Sequence, residues 1–381
     1  MRRLVAGFLL ACAALSAQIL VDAARIPAGL RSLQPLPGEQ PARCELTPLR
    51  PMLNFGFRFQ AGYVARLPLN QYLGSGHKMA ILARITPEGG DRKPVYLLQT
   101  LKLPPIPKTN QEGEVGGGYL LGEGRYSVSW MLLDDANRVC RKEWRIDVQL
   151  NHSESKVRPA MPPFTVSDFS PRASAWSRSD RDDARPVRLT VLLHAAPLSP
   201  RRTQLRAGDR MMLLGSLASL LERVPARWVR LVVFSLDQQK EIYRKDRFVP
   251  QELEQVAQSL NDLELGMVDY GVLQNRRGHI DLLANLVHRE LTAAEPSEAV
   301  VFLGPTARFA DKPPKTVLEK PAAATPRFFY FQFKPLFRRS TNSFPDSINF
   351  AVDRLKGKNL VIHSPGEFAK AIEDLESRVA R

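Results

Sequence analysis

The residues whose types suit them to chemistry are His194, Ser199, Asp237 and Thr306. His194 closes the run Val187-Arg188-Leu189-Thr190-Val191-Leu192-Leu193, which has the composition of a strand buried on both faces. Asp237 follows a second such run, Trp228 to Phe234, and Thr306 follows a third, Ala299-Val300-Val301-Phe302-Leu303. Open α/β sheets bind ligands outside the carboxyl ends of their strands. These four residues are therefore the candidate ligand-binding set. A Ser–His–Asp relay drawn from Ser199, His194 and Asp237 lacks the G-x-S-x-G elbow that presents a serine nucleophile, so no catalytic residue is assigned.

Other constellations give bland readings. His279, Asp281, His288 and Glu290 share one predicted helix, but the two histidines are too far apart to grip zinc from one helix face. No G-x-G-x-x-G follows the first strand, where Ala195-Ala196-Pro197 leaves a pyrophosphate no close approach. The glycines of residues 104–124 lack the Lys-Ser/Thr and the helix of a phosphate loop, and predict a flexible loop. Phe328-Phe329-Tyr330-Phe331 and Phe333, followed by Arg338-Arg339, read as a buried strand with a charged rim rather than a base-stacking platform. Asn151-His152-Ser153 is a glycosylation triplet, meaningful only in a eukaryotic secretory pathway. No cofactor is expected.

Composition narrows the class. The 381 residues are 44% hydrophobic and 24% charged, which excludes a disordered or fibrous chain. The net charge of +15 is diffuse: residues 1–150 carry 19 basic and 12 acidic side chains, and residues 187–381 carry 29 and 22. Nucleic-acid binders gather their charge on one face, so no specific nucleic-acid partner is expected, although diffuse charge favours anionic polymers. Met1-Arg2-Arg3 followed by the apolar run Leu4 to Leu15 and small residues predicts a secretory leader over residues 1–24, with cleavage near Ser16-Ala17 or Ala23-Ala24. Leu9-Leu10-Ala11-Cys12 is a weaker lipid-anchor alternative. Export to the periplasm or the medium then makes Cys44 and Cys140 disulfide partners.

Two periodicities divide the mature chain. Residues 45–150 alternate with period two, including Tyr126, Val128, Trp130 and Trp144, Ile146, Val148, with Phe55, Phe57 and Phe59 expected on one face. They predict an all-β, immunoglobulin-like sandwich. Residues 151–186, rich in Pro, Ser, Arg and Asp, read as a disordered linker. Residues 187–381 alternate strands with helices, such as the helix of Ile348, Val352 and Leu355 and the capping box Ser364-Pro365-Gly366-Glu367. They predict a doubly wound, mainly parallel sheet, making the chain α/β plus all-β.

This half resembles the von Willebrand factor A-like domains of exported bacterial proteins. The resemblance rests on the strand order, on Arg188-Leu-Thr-Val-Leu-Leu, and on Asp346-Ser-Ile-Asn-Phe-Ala-Val-Asp-Arg-Leu through Leu360-Val-Ile-His-Ser-Pro. Such domains often hold a metal with Asp-x-Ser-x-Ser after the first strand and an Asp after the fourth. Here those places read His194-Ala195-Ala196-Pro197-Leu198-Ser199 and Gly304-Pro305-Thr306, so no metal is expected. The resemblance implies a metal-free scaffold that binds another protein or an envelope polymer. The alternatives are a hydrolase with His194 in its cleft and a charge-driven binder of anionic polymer.

Overall fold

The computed structural model describes residues 18–31, 37–89, 93–169, 186–199, 202, 204–263, 272, 274–314, 318, 326–334 and 345–379. The chain is mixed α/β with more strand than helix. It divides into two compact units. The first holds the described residues through Met52, Arg58–Gln149, and Met161 to Phe169. The second holds Leu53–Phe57, Leu150–Ala160 and the described residues from Pro186 onward.

The first unit is built from ten strands: β1 (Ile19–Val21), β2 (Gln40–Pro41), β3 (Glu45–Leu53), β4 (Phe59–Pro68), β5 (His77–Pro87), β6 (Val95–Leu103), β7 (Glu112–Leu121), β8 (Gly124–Asp134), β9 (Arg138–Val148) and β10 (Val166–Ser167). They form a six-stranded sheet, β1-β6-β5-β8-β9-β2, and a four-stranded sheet, β10-β7-β4-β3. Tyr63 of β4 meets Trp130 of β8 and Trp144 of β9 edge-on, at 5.5 and 6.5 Å, so aromatic side chains tie one sheet to the other. Cys44 and Cys140 are joined, their Cα atoms 6.3 Å apart, which fixes the entry of β3 to β9.

Residues 18–31 are folded: Ile19–Val21 pairs with Tyr96 to Leu98 of β6. Ile26 and Leu30 are buried with Leu82, Met131 and Val139. A leader ending at Ala24 would remove β1, whereas a cut before Gln18 would leave it intact; residues 1–17, with Cys12, lie outside the described residues. The expected linker is ordered where it is described. Asn151 caps the turn His152–Glu154 with a reciprocal Glu154 contact, and Val166–Ser167 pairs with β7. Residues 170–185 lie outside the described residues, as do Arg338 and Arg339.

The glycine-rich stretch is also not a loop. Glu112–Leu121 runs antiparallel along the whole of β4, with Tyr63 directly opposite Gly117. A Cβ on Gly117 would lie 2.3 Å from the Tyr63 hydroxyl, and one on Gly118 would lie 2.2 Å from Phe169. The glycines thus make room for aromatic rings lying over the strand. Because Tyr63 is fully buried against two tryptophans, Gly117→Ala has no cheap escape. It should lower stability in urea by about 1–3 kcal/mol. An unchanged midpoint would mean that the stretch is not packed this way.

The second unit carries a six-stranded sheet of β11 (Val187–His194), β12 (Ala226–Ser235), β13 (Lys240–Lys245), β14 (Ala299–Pro305), β15 (Arg327–Phe333) and β16 (Lys358–Ile362). Its order is β13-β12-β11-β14-β15-β16, and every pair is parallel except the β12–β13 edge. The described helices of eight or more residues are α1 (Ala207–Arg223), α2 (Leu253–Asn261), α3 (Gly278–Leu291), α4 (Ser347–Arg354) and α5 (Pro365–Val379). Both faces of β15 are covered. Phe328 and Tyr330 join a core with Leu283 and Val287 of α3 and Ile348 and Val352 of α4. Phe331 and Phe333 meet Phe368 of α5 on the other face. Phe55 and Phe57 do not continue a strand: Asn54 accepts from the amides of Gly56 and Phe57 in a tight turn. Both rings pack on Phe368, at 6.0 and 5.5 Å.

Candidate functional site

The order of the second sheet reverses between β11 and β14, and the crevice beyond their carboxyl ends is where an open α/β sheet presents its ligand site. His194 and Pro305 end those strands. The parallel register sets Leu193 against Leu303, and the next residue of β14, Gly304, passes under His194. Gly304 has φ +151°, and a Cβ there would lie 2.7 Å from the His194 carbonyl oxygen. The close approach of the two backbones therefore requires glycine.

The crevice is filled by the protein's own side chains. The His194 ring is 1% exposed. Its Nδ1 donates to the Pro305 carbonyl at 3.2 Å, and its face stacks on Phe234 at 5.3 Å. Among the described residues its Nε2 has no hydrogen-bond partner. Ala195, Ala196 and Pro197 are buried beside it. Burial pushes the His194 pKa below the ordinary histidine value, against the opposing pull of the Asp237 carboxylate, the Pro305 carbonyl and the Asp346 carboxylate, while Arg308 adds to the lowering.

That shift makes a pH prediction. The folded protein keeps His194 neutral while the unfolded chain takes up a proton, so this contribution is fully present above the unfolded histidine pKa of about 6.5 and is lost as pH falls below it. The slope is about 1.4 kcal/mol per pH unit until the folded group itself protonates. In urea titrations between about pH 7.5 and about pH 5.5, His194→Gln should lose less stability than the natural chain by an amount of that order. Parallel pH profiles for the two chains would contradict this assignment.

The other candidates follow the ends of β11, β12 and β14. Asp237 is exposed beyond β12 and acts on His194 only across space. Ser199 is half-buried in a loop after β11, its carbonyl accepting from the Arg202 amide at 3.2 Å. Thr306 is half-buried after β14. Among the described residues, no hydrogen bond joins Ser199, Asp237 or Thr306 to His194. His279 and Glu290 part company as well. His279 pairs with Asp311 at 3.0 Å, whereas Glu290 reaches Thr190 and Arg230 at 2.8 and 2.9 Å. Among the described residues, no three His, Cys, Asp or Glu side chains gather as a metal site.

Two carboxylates outside the candidate set hold the crevice together. Asp209, in the first turn of α1, accepts from the Leu198 and Arg206 amides at 3.2 and 3.0 Å and so clamps the loop after β11. Asp346 caps α4 through Oδ1, accepting from the Ile348 and Asn349 amides at 2.9 and 3.1 Å. Its Oδ2 accepts from the Ala307 amide at 3.1 Å, the Tyr330 hydroxyl at 3.0 Å and the Gln332 side chain at 2.7 Å. The Tyr330 hydroxyl also lies 2.9 Å from the Pro305 carbonyl that receives His194, so its single proton is shared between the two acceptors. Burial and the neighbouring carboxylate raise the Tyr330 pKa well above the ordinary tyrosine value, so it remains a donor.

No protein-family model matches the chain, and no curated protein matches it at a significant level. Solved structures overlap it weakly. A point mutant of the PilB minor pilin from Streptococcus sanguinis is 9% identical over 96% of this chain and 93% of its own, with a TM-score of 0.29. The ApaA protein from Bordetella pertussis is 13% identical over 30% of this chain and 99% of its own, with a TM-score of 0.20. A β-glucosidase from Listeria innocua is 12% identical over 29% of this chain and 17% of its own, with a TM-score of 0.18. Overlaps of this size assign neither a fold nor a role. Among the described residues, no helix is long and apolar enough to cross a membrane. The disulfide is of the kind that oxidising compartments maintain, as in exported proteins.

Proposed function

We propose that this chain is an exported, non-enzymatic binding or scaffold protein, in which an immunoglobulin-like sandwich precedes a metal-free von Willebrand factor A-like domain that engages another protein or an envelope polymer. The filled switch-point crevice carries this reading. His194, Ala195, Ala196 and Pro197 occupy the place where hard-oxygen ligands would follow the first strand, and all four are buried. Only His194 offers a ring nitrogen, and that ring is sealed by Phe234 and Pro305. A hydrolase working through His194 needs that nitrogen open to substrate, so the burial favours a binding role.

Two further observations support the domain assignments. The second sheet has the strand order of doubly wound folds, counted 3-2-1-4-5-6 within the unit. In the first unit, the Tyr126 hydroxyl near the start of β8 donates to the Gly122 carbonyl, four residues back, at 2.9 Å. That is the local form of the tyrosine corner found in immunoglobulin-like sandwiches.

Melting the mature chain with and without Mg²⁺ or Ca²⁺ tests the metal-free reading. The expected result is no rise. Saturable binding at a hundred-fold excess over Kd would add about 2.7 kcal/mol of stability, and a rise of that order would sink the proposal.

A further inference from the structure

A groove at the opposite end of the second sheet belongs to neither the His194 crevice nor the reading built on it. Trp228 and Arg230 lie near the start of β12, opposite Arg188 and Thr190 of β11, whereas Phe234 pairs with His194 at the far end. At 3.3 Å per residue, Arg230 and Phe234 stand roughly 13 Å apart along the strand. There a groove of about 380 Å³ opens between Trp228, Arg230, Arg244, Arg247, Arg289 and Ala293.

Four guanidinium groups share this space, and the structure shows how each is held. Arg230 is fixed from both sides, to Glu290 and to Asp246, each at 2.9 Å. Glu290 is buried and takes a further bond from Thr190 at 2.8 Å, so Arg230 forms a rigid floor. Arg244 and Arg289 divide a single carboxylate, Glu241, at 2.7 and 2.6 Å. Arg247 lies over the Trp228 ring at 4.8 Å and pairs with Glu295. The Arg247 and Glu295 side chains are 56% and 63% exposed, and an ion pair that wet contributes little and gives way readily. Two guanidiniums on one carboxylate, and a third laid flat on an indole with a loosely held partner, leave N–H donors beyond those the resident acids use. Such forks match carboxylate and phosphate oxygens.

We propose that this groove binds a small organic oxyanion, a carboxylate or phosphate monoester on a body of monosaccharide size, with Arg247 and Arg289 gripping the anion above Arg230 and Arg244. The volume sits at the lower end of the roughly 300–1,000 Å³ of small-molecule sites. The acidic residues in the same walls oppose a long polyanion, because Asp246, Glu290 and Glu295 would repel its remaining charges.

Calorimetric titration of the processed chain at low salt provides the test, with D-glucuronate, D-glucose 6-phosphate and neutral D-glucose as probes. One or both anions should bind while glucose does not, and the anion that binds names the oxyanion. The double variant Arg247→Gln with Arg289→Gln should weaken binding by at least about ten-fold, the scale of one lost charge-assisted hydrogen bond. Both side chains are more than half exposed, so melting should be unchanged. Arg247→Gln alone gives the same reading in part should the double variant melt early. No heat from either anion, equal binding of glucose, or unchanged affinity in the variants would each overturn the proposal.

Discussion

Replacing Asp346 with alanine should lower the stability of the second unit by about 3–5 kcal/mol, a large part of the roughly 5–15 kcal/mol that holds a domain folded. The argument counts donors. Asp346 accepts five hydrogen bonds and is 6% exposed, so water does not replace it. Losing the cap of α4 costs about 0.5–2 kcal/mol. Stranding the Ala307 amide and the Gln332 side chain adds about 1–3 kcal/mol for each donor left buried and unpaired. Tyr330 is spared that cost because it keeps the Pro305 carbonyl. Asp346→Asn separates the two halves. Asparagine caps a helix as well as aspartate does, but its amide would point donors at donors on the Ala307 side. Asn should therefore fall between the natural residue and Ala in urea unfolding. A loss under about 1 kcal/mol for Asp346→Ala would show that the hub is not carrying β14, β15 and α4 together.

Asp346 also shows how far sequence reasoning reaches. Its role as a cap is within local reach, since the amides it accepts from are two and three places on, at Ile348 and Asn349. Its second role does not show, because the donors come from Ala307, Tyr330 and Gln332 on elements that only folding brings near. The same division holds elsewhere. The runs ending at Leu193, Leu303 and Phe333 were legible as strands because a strand covered on both faces is apolar without interruption. Glu112–Leu121 was not, because a strand of glycines has no side-chain period, and its order comes from Tyr63 and Phe169 lying across it. Ile19–Val21 was hidden too, since its partner strand lies more than seventy residues later. Phe55 and Phe57 misled for the opposite reason: their alternation is genuine, but Asn54 bends the backbone into a turn before a strand can form. In the crevice, the sealing of His194 could not be read, since Phe234 and Pro305 reach it from β12 and β14.

Breaking the cross-link between Cys44 and Cys140 should have an effect at least as large, confined at first to the first unit. The two cysteines are 96 positions apart. Closing a loop of that length removes enough freedom from the unfolded chain to stabilise by about 4–5 kcal/mol on the chain-entropy account. The local geometry indicates where the loss is felt. Cys44 stands one residue before β3, an edge strand whose other residues are largely exposed, whereas Cys140 is buried in β9 between β8 and β2. Without the bond, β3 keeps its place at the sheet edge by few buried side chains, while β9 retains its long ladder with β8. Hydrogen exchange on the chain, with and without a thiol reductant, resolves the two. Amides of residues 40–53 should lose protection first and by the larger factor, and the Cys44→Ser with Cys140→Ser variant should behave like the reduced chain. If protection over residues 40–53 and the urea midpoint both survive reduction, the disulfide does not anchor that edge, and the packing of β3 on β4 alone suffices.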